Sequence, residues 1–294
     1  MSFVAEEIAT QPACWASAMA LAPRVTNLMP ARGERVAVVG CGTSYNVARA
    51  YACLREAAGE GPTDAMPASE LLRQRQYERF VFLSRSGTTT EILGALASVP
   101  KGVMTLAITA DGNSPLASTA GSAVVLDFAD ERSVVQTRFA TSLLVLLRAH
   151  LGEDVAGLVE EAKVALDTAP VPAATEAQRF TFLGTGWTIG LAHEAALKLR
   201  EAALAWTESY PAMEVRHGPI SVLDAEAVVW SFSPLPEGLR ADLGTTGALV
   251  VLPELDPLAE LVRAQRLAVA LAMARGLDPD RPRHLARSVI LQED

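Results

Sequence analysis

The sequence predicts an α/β protein of two lobes, each a parallel sheet flanked by helices in three α/β/α layers. Short apolar runs such as Val36-Ala37-Val38-Val39 and Phe80-Val81-Phe82-Leu83 alternate with longer helical stretches. Unbroken apolar runs are what strands buried on both faces require. After Thr168 the pattern restarts: Phe180-Thr181-Phe182-Leu183 leads into Gly184-Thr185-Gly186-Trp187-Thr188, echoing the path from Val36 to Ser44. Such an echo is the mark of an internal duplication.

In chain order, residues 5–28 read as helical, with Pro12 near an early turn and Pro23 as a break. A strand over 36–39 ends at Gly40, and Gly40-Cys41-Gly42-Thr43-Ser44 opens a helix through Leu54. A second strand, 80–83, is followed by Ser84-Arg85-Ser86-Gly87-Thr88-Thr89-Thr90-Glu91 and another helix. Met104 to Ile108 and Ala123 to Leu126 complete the first lobe. Residues 168–176, rich in Pro and Ala, read as a linker, which places the lobes at 1–167 and 177–294. The second lobe adds apolar runs at 227–230 and 248–252.

Half of the 294 residues are hydrophobic and a fifth are charged, which excludes disorder and a coiled coil. A net charge of −9 argues against a nucleic-acid surface, and no DNA-binding helix-turn-helix precedes residue 30. The first residues lack a basic, apolar leader, and the run Thr141 to Leu147 is hemmed by Arg138 and Arg148. Cys14, Cys41 and Cys53 show no CxxC spacing, as expected of reduced thiols. A soluble cytoplasmic protein is expected. The four histidines, His150, His193, His217 and His284, have no metal-ligand spacing, so neither metal nor cofactor is expected.

Two loops can bind an anion. Gly40 to Ser44 lies at a strand-to-helix turn, where backbone N–H groups and the helix dipole favour negative charge. By itself it also reads as an ordinary capped turn. In the loop after 80–83, five hydroxyls crowd one turn, whereas a cap needs one. Two such loops converge at one crevice of a parallel sheet. The matching segment of the second lobe, Ser231-Phe232-Ser233-Pro234-Leu235-Pro236, has prolines that remove donors, so one phosphate site per chain is expected.

The stretch from His193 to Leu204 is a strong helix former. Glu194, Lys198 and Glu201 share one face of it, and Glu208 would join them if the helix continued. That spacing also describes a solvated Glu–Lys stripe. Yet only three of the 25 basic residues are lysines, which draws attention to Lys198. A lysine between carboxylates is a workable general-base assembly. His217, in Glu214-Val215-Arg216-His217-Gly218-Pro219, sits in a turn that Gly and Pro would fix.

Together these motifs resemble the double sugar-isomerase (SIS) domain family, and most nearly the isomerase half of the glucosamine-6-phosphate synthases. Glu7-Ile8-x-x-Gln11-Pro12 and the tail Pro282-Arg283-His284-Leu285-Ala286-Arg287-Ser288-Val289 fit the two ends of that half. The resemblance implies a flavodoxin-like fold in each lobe. It sets Thr43, Ser44, Ser84, Arg85, Ser86 and Thr89 at the sugar phosphate, and Val134 and Gln136 near the sugar. It makes Glu201 the base for C1–C2 proton transfer, with Glu194 and Lys198 beside it. His217 would assist ring opening from the partner subunit of a homodimer with shared sites.

Two departures stand out. The family's glutaminase domain has no counterpart in these residues, so amidotransfer by this chain alone is not expected. Arg287 replaces a lysine that forms an imine with the ketose, and arginine cannot serve as that amine. The expected activity is aldose–ketose isomerisation of a hexose or amino-hexose 6-phosphate. Deamination of an amino-sugar 6-phosphate, or sugar-phosphate binding without turnover, are the alternatives.

Overall fold

A computed structural model describes residues 2–72 and 75–291. It divides into two compact units that do not follow a cut near the proline-rich segment. One unit comprises Ala13–Ala156 and the tail from Ala286; the other comprises Met1–Pro12 and Gly157–Leu285.

The first unit holds α2 (Gln11–Val25) from Ala13 onward, β1 (Val36–Gly40), α3 (Thr43–Ala57), β2 (Thr63–Pro67), β3 (Arg79–Leu83), α4 (Thr90–Ala97), β4 (Met104–Thr109), α5 (Pro115–Thr119), β5 (Ser122–Val125) and α6 (Arg138–His150). Its five strands are all parallel, in the order β2-β1-β3-β4-β5. Every residue of β1 and β3 is buried, so their unbroken apolar runs are explained by cover on both faces. Val39 pairs with Phe82, so the loops after β1 and β3 leave neighbouring strand ends. The chain reverses direction across the sheet between these strands, the switch point where open α/β sheets bind ligands.

The second unit holds α1 (Phe3–Ala9), α7 (Leu158–Asp167), α8 (Pro172–Glu176), β6 (Arg179–Gly184), α9 (Thr188–Ala203), β7 (Trp206–Pro211), β8 (Ala227–Ser231), α10 (Leu239–Gly244), β9 (Leu249–Val251) and α11 (Pro257–Ala274). Its four parallel strands run β7-β6-β8-β9, with the same reversal between β6 and β8. Each unit has its own apolar core.

The ends of the chain depart from the expected boundaries for a packing reason. Val4 and Ile8 of α1 are buried, and the Phe3 and Val4 amides donate to Asp280 at 2.7 and 2.9 Å. Gln11 Nε2 donates to Gln265 Oε1 of α11 at 2.8 Å, and Arg266 of α11 donates to the Ala165 carbonyl of α7 at 2.8 Å. The N-terminal helix and α7 therefore belong with α11. Part of the expected linker is helical, as α8. Pro23 does not break α2, which continues to Val25; a proline in the last turn removes little. No helix among the described residues is long and apolar enough to cross a membrane.

Candidate active site

The loop after β3 is shaped by its own hydroxyls. Gly87 takes a left-handed conformation, φ +62°, and a Cβ there would lie 2.2 Å from Ser114 Oγ. Ser84 Oγ accepts from the Gly87 amide at 3.2 Å, and Ser86 Oγ accepts from the Thr88 amide at 3.3 Å. Thr89 is the N-cap of α4, yet its hydroxyl makes no capping bond. Simple capping thus leaves the crowd of hydroxyls unexplained. Thr43 and Ser44 are buried in the first turn of α3, whose N-cap is Gly42.

Arg85, which the resemblance sets at the phosphate, directs its guanidinium to protein carbonyls. Its side chain is 1% exposed. Nη1 donates to the Ser133 carbonyl and Nη2 to the Arg287 carbonyl, each at 2.7 Å, and Glu131 Oε2 lies 3.9 Å from Nη1. A guanidinium in a desolvated pocket needs such partners, and here they turn it inward. Its fork ties three segments together: the hydroxyl loop, residues 131–133 and the C-terminal tail.

The segment carrying Val134 and Gln136 is held by Glu131, which accepts from the Thr137 hydroxyl at 2.8 Å and the Arg138 amide at 2.9 Å. Gln136 Oε1 is buried and has no hydrogen-bond partner among the described residues, which suits an acceptor awaiting a ligand hydroxyl or amine. Arg287 is anchored to the same segment, with Nε donating to the Glu131 carbonyl at 2.9 Å and Nη2 to Asp130 Oδ1 at 2.6 Å.

In the second unit, α9 brings Glu194, Lys198 and Glu201 together. Lys198 Nζ donates to Glu201 Oε2 at 2.6 Å and lies 3.3 Å from Glu194 Oε1. Burial alone would discharge this lysine, but the two carboxylates outweigh it and hold its pKa above the ordinary lysine value. Glu194 and Lys198 are 1% exposed, whereas the Glu201 side chain is 18% exposed. Of the two carboxylates, Glu201 is therefore the one that reaches solvent. Glu208 does not join them: α9 ends at Ala203, with Leu204 in a left-handed cap, and Glu208 lies on β7.

His217 is exposed at the end of a 3-10 segment, Ala212–His217, before Gly218 with φ +129°. Its imidazole makes no hydrogen bond to any described residue. No group of His, Cys, Asp or Glu among the described residues is arranged to hold a metal ion. One residue at the hydroxyl loop escaped sequence reasoning: Ser288, whose hydroxyl meets those of Ser86 and Thr88. Nothing local marks it, because its partners lie about 200 positions away in sequence.

No family model matches the chain. Among curated proteins it is similar to the glutamine–fructose-6-phosphate aminotransferases (isomerizing) of Gloeobacter violaceus and Methanothermobacter thermautotrophicus. Each is 30% identical over 88% of this chain and 52% of the relative. The chain spans about half the length of the curated relatives it matches. Among solved structures, glucosamine-6-phosphate deaminase from Thermotoga maritima is 28% identical with a TM-score of 0.82, covering 99% of this chain and all of the other. Tagatose-6-phosphate ketose/aldose isomerase from Escherichia coli shares the fold, with a TM-score of 0.78 at 20% identity over 99% of this chain and 96% of its own. Over most of its length the chain is a homologue of the isomerase portion of the isomerizing aminotransferases, and it shares the fold of the solved phosphosugar isomerases and deaminase.

Proposed function

We propose that this chain is a cytoplasmic phosphosugar isomerase acting on a hexose or amino-hexose 6-phosphate. The observation that carries the proposal is the trio on α9, in which two buried groups brace one carboxylate that reaches solvent. The phosphate is held by the hydroxyls of Ser86 and Thr89 and by the first turn of α3 at Thr43 and Ser44. A helix N-terminus supplies oriented N–H groups there without bringing in a counter-charge. Gln136 and the Val134 segment receive the sugar. Glu201 takes the proton from one of C1 and C2 and returns it to the other through an enediol or enolamine. Lys198 orients that carboxylate, and Glu194 keeps the lysine charged. The solvent-exposed His217 assists ring opening, reaching the site of a second subunit in a homodimer.

A second reading, release of ammonia from an amino-hexose 6-phosphate, is supported by the likeness to a glucosamine-6-phosphate deaminase and by Arg287. A permanently protonated arginine cannot form an imine with the sugar, while loss of ammonia after the same proton shift needs none. Incubation with candidate sugar phosphates in heavy water tests the core of both readings. Deuterium enters at C2 if Glu201 shuttles the proton, and ammonia release separates deaminase from isomerase. Absence of exchange with every hexose 6-phosphate, amino-hexose 6-phosphate and N-acetylated relative would refute catalysis.

A further inference from the structure

From Leu285 to Leu291 the tail is exposed at every residue except Ser288. Ser288 Oγ lies 2.9 Å from Thr88 Oγ1, 3.2 Å from Ser86 Oγ and 3.4 Å from Thr89 Oγ1. The flanking backbone is fastened to the same loop. The Thr90 amide donates to the Val289 carbonyl at 3.1 Å, and the Leu291 amide donates to Thr90 Oγ1 at 3.0 Å. Arg85 Nη2 grips the Arg287 carbonyl one residue before Ser288.

We infer that Ser288 is a further hydroxyl ligand for the phosphate, beside Ser86 and Thr89, and that Arg85 is the positioning residue that holds it there. This rests on the phosphosugar reading and deepens it, since the phosphate-monoester site would be built from both ends of the unit's chain. The hydroxyl-to-hydroxyl contacts are neutral, and two of the three, at 3.2 and 3.4 Å, are long. A phosphate dianion offers each hydroxyl a charge-assisted bond instead, the stronger class. The opposite arrangement, in which the tail plugs the site and leaves when phosphate arrives, runs against the burial of Arg85. Departure of the tail would strip a carbonyl from a guanidinium that is 1% exposed, and an unfilled buried charge is costly. The tail is a wall of the cradle.

Calorimetric titration with inorganic phosphate and with glucosamine 6-phosphate tests this on four proteins: wild type, Ser288→Ala, Arg85→Lys and the double variant. Ser288→Ala raises both dissociation constants by about tenfold or more while the melting temperature without ligand stays unchanged. Arg85→Lys keeps the charge but loses the fork. It weakens binding to a similar degree alone, and by less than about twofold once Ser288 is gone, because the two act as one unit. Unchanged or tighter binding by Ser288→Ala overturns the inference and identifies the tail as a plug. Penalties that multiply in the double variant overturn the role of Arg85. If Arg85→Lys fails to fold, Ser288→Ala alone still decides the ligand. If wild type binds neither probe, the phosphosugar reading fails as well, which is distinguishable from loss in Ser288→Ala alone.

Discussion

Lys198 is the residue on which the α9 trio depends. Replacing it with methionine keeps the volume but leaves Glu194, 1% exposed, facing Glu201 without the ammonium between them. Breaking a buried pair from one side costs about 3–5 kcal/mol, so urea denaturation of Lys198→Met should show a loss of that order. Glu201→Gln should cost less stability than Lys198→Met, because Glu194 stays beside the ammonium and the amide oxygen can still accept from it. Turnover should fall about 10²–10⁴-fold with binding of the sugar phosphate retained. His150 gives a pH test. Its burial lowers its pKa from 6.5, against the opposing pull of the Pro30 carbonyl. The unfolded chain therefore binds a proton at higher pH than the folded one. The stability associated with neutral His150 is full above pH 6.5 and is lost as pH falls from there through the folded pKa. Denaturation at pH 7.5 and 5.5 should show a larger acid loss in wild type than in His150→Gln. At this scale the sequence was partly readable. The scarcity of lysine singled out Lys198, whereas a cation in a hydroxyl loop pointed Arg85 at an anion, and only the fold reveals the carbonyls that turn it inward.

Turns decide the next level. A Cβ on Gly40 would lie 2.5 Å from the Ser44 carbonyl carbon, and one on Gly184 would lie 2.5 Å from that of Thr188. In both units, then, a strand runs straight into the first turn of a helix, and only glycine allows the approach. Gly40→Ala must push back the start of α3, which carries Thr43 and Ser44. The expected cost is about 1–3 kcal/mol with weakened phosphate affinity. Gly184→Ala should destabilise its unit without touching that loop. Paired melts and phosphate titrations check both. The buried strands were legible because cover on both faces writes a continuous apolar run. β2, Thr63-Asp64-Ala65-Met66-Pro67, and β7, Trp206-Thr207-Glu208-Ser209-Tyr210-Pro211, were not. Each is an edge strand with one hydrogen-bonded neighbour, mixed burial and a terminal proline, which edges tolerate. The condition under which Glu208 would join the helix face fails because β7 begins at Trp206.

For the whole molecule, the duplication was visible in the repeated strand–turn–helix order, but the division of the chain was not. Composition marks a proline-rich segment, while contacts made by Val4, Gln11 and Ala165 with partners about 100 to 280 positions away decide which unit the chain ends join. Quaternary structure enters through His217, a solvated imidazole on a turn fixed by Gly218 and Pro219. If it serves the site of a second subunit, as proposed, Glu201→Gln and His217→Ala proteins are each nearly inactive alone. Mixed and allowed to exchange subunits, they form heterodimers in which one site has lost both groups and the other keeps both. Random exchange makes half the dimers mixed, each with one intact site of two, so activity recovers to about one quarter of wild type. The measurement is the turnover of the mixture against its unmixed parents, with exchange verified by native mass spectrometry of differently tagged subunits. Verified exchange without recovery would place Glu201 and His217 in the site of the same subunit, or remove His217 from the chemistry altogether.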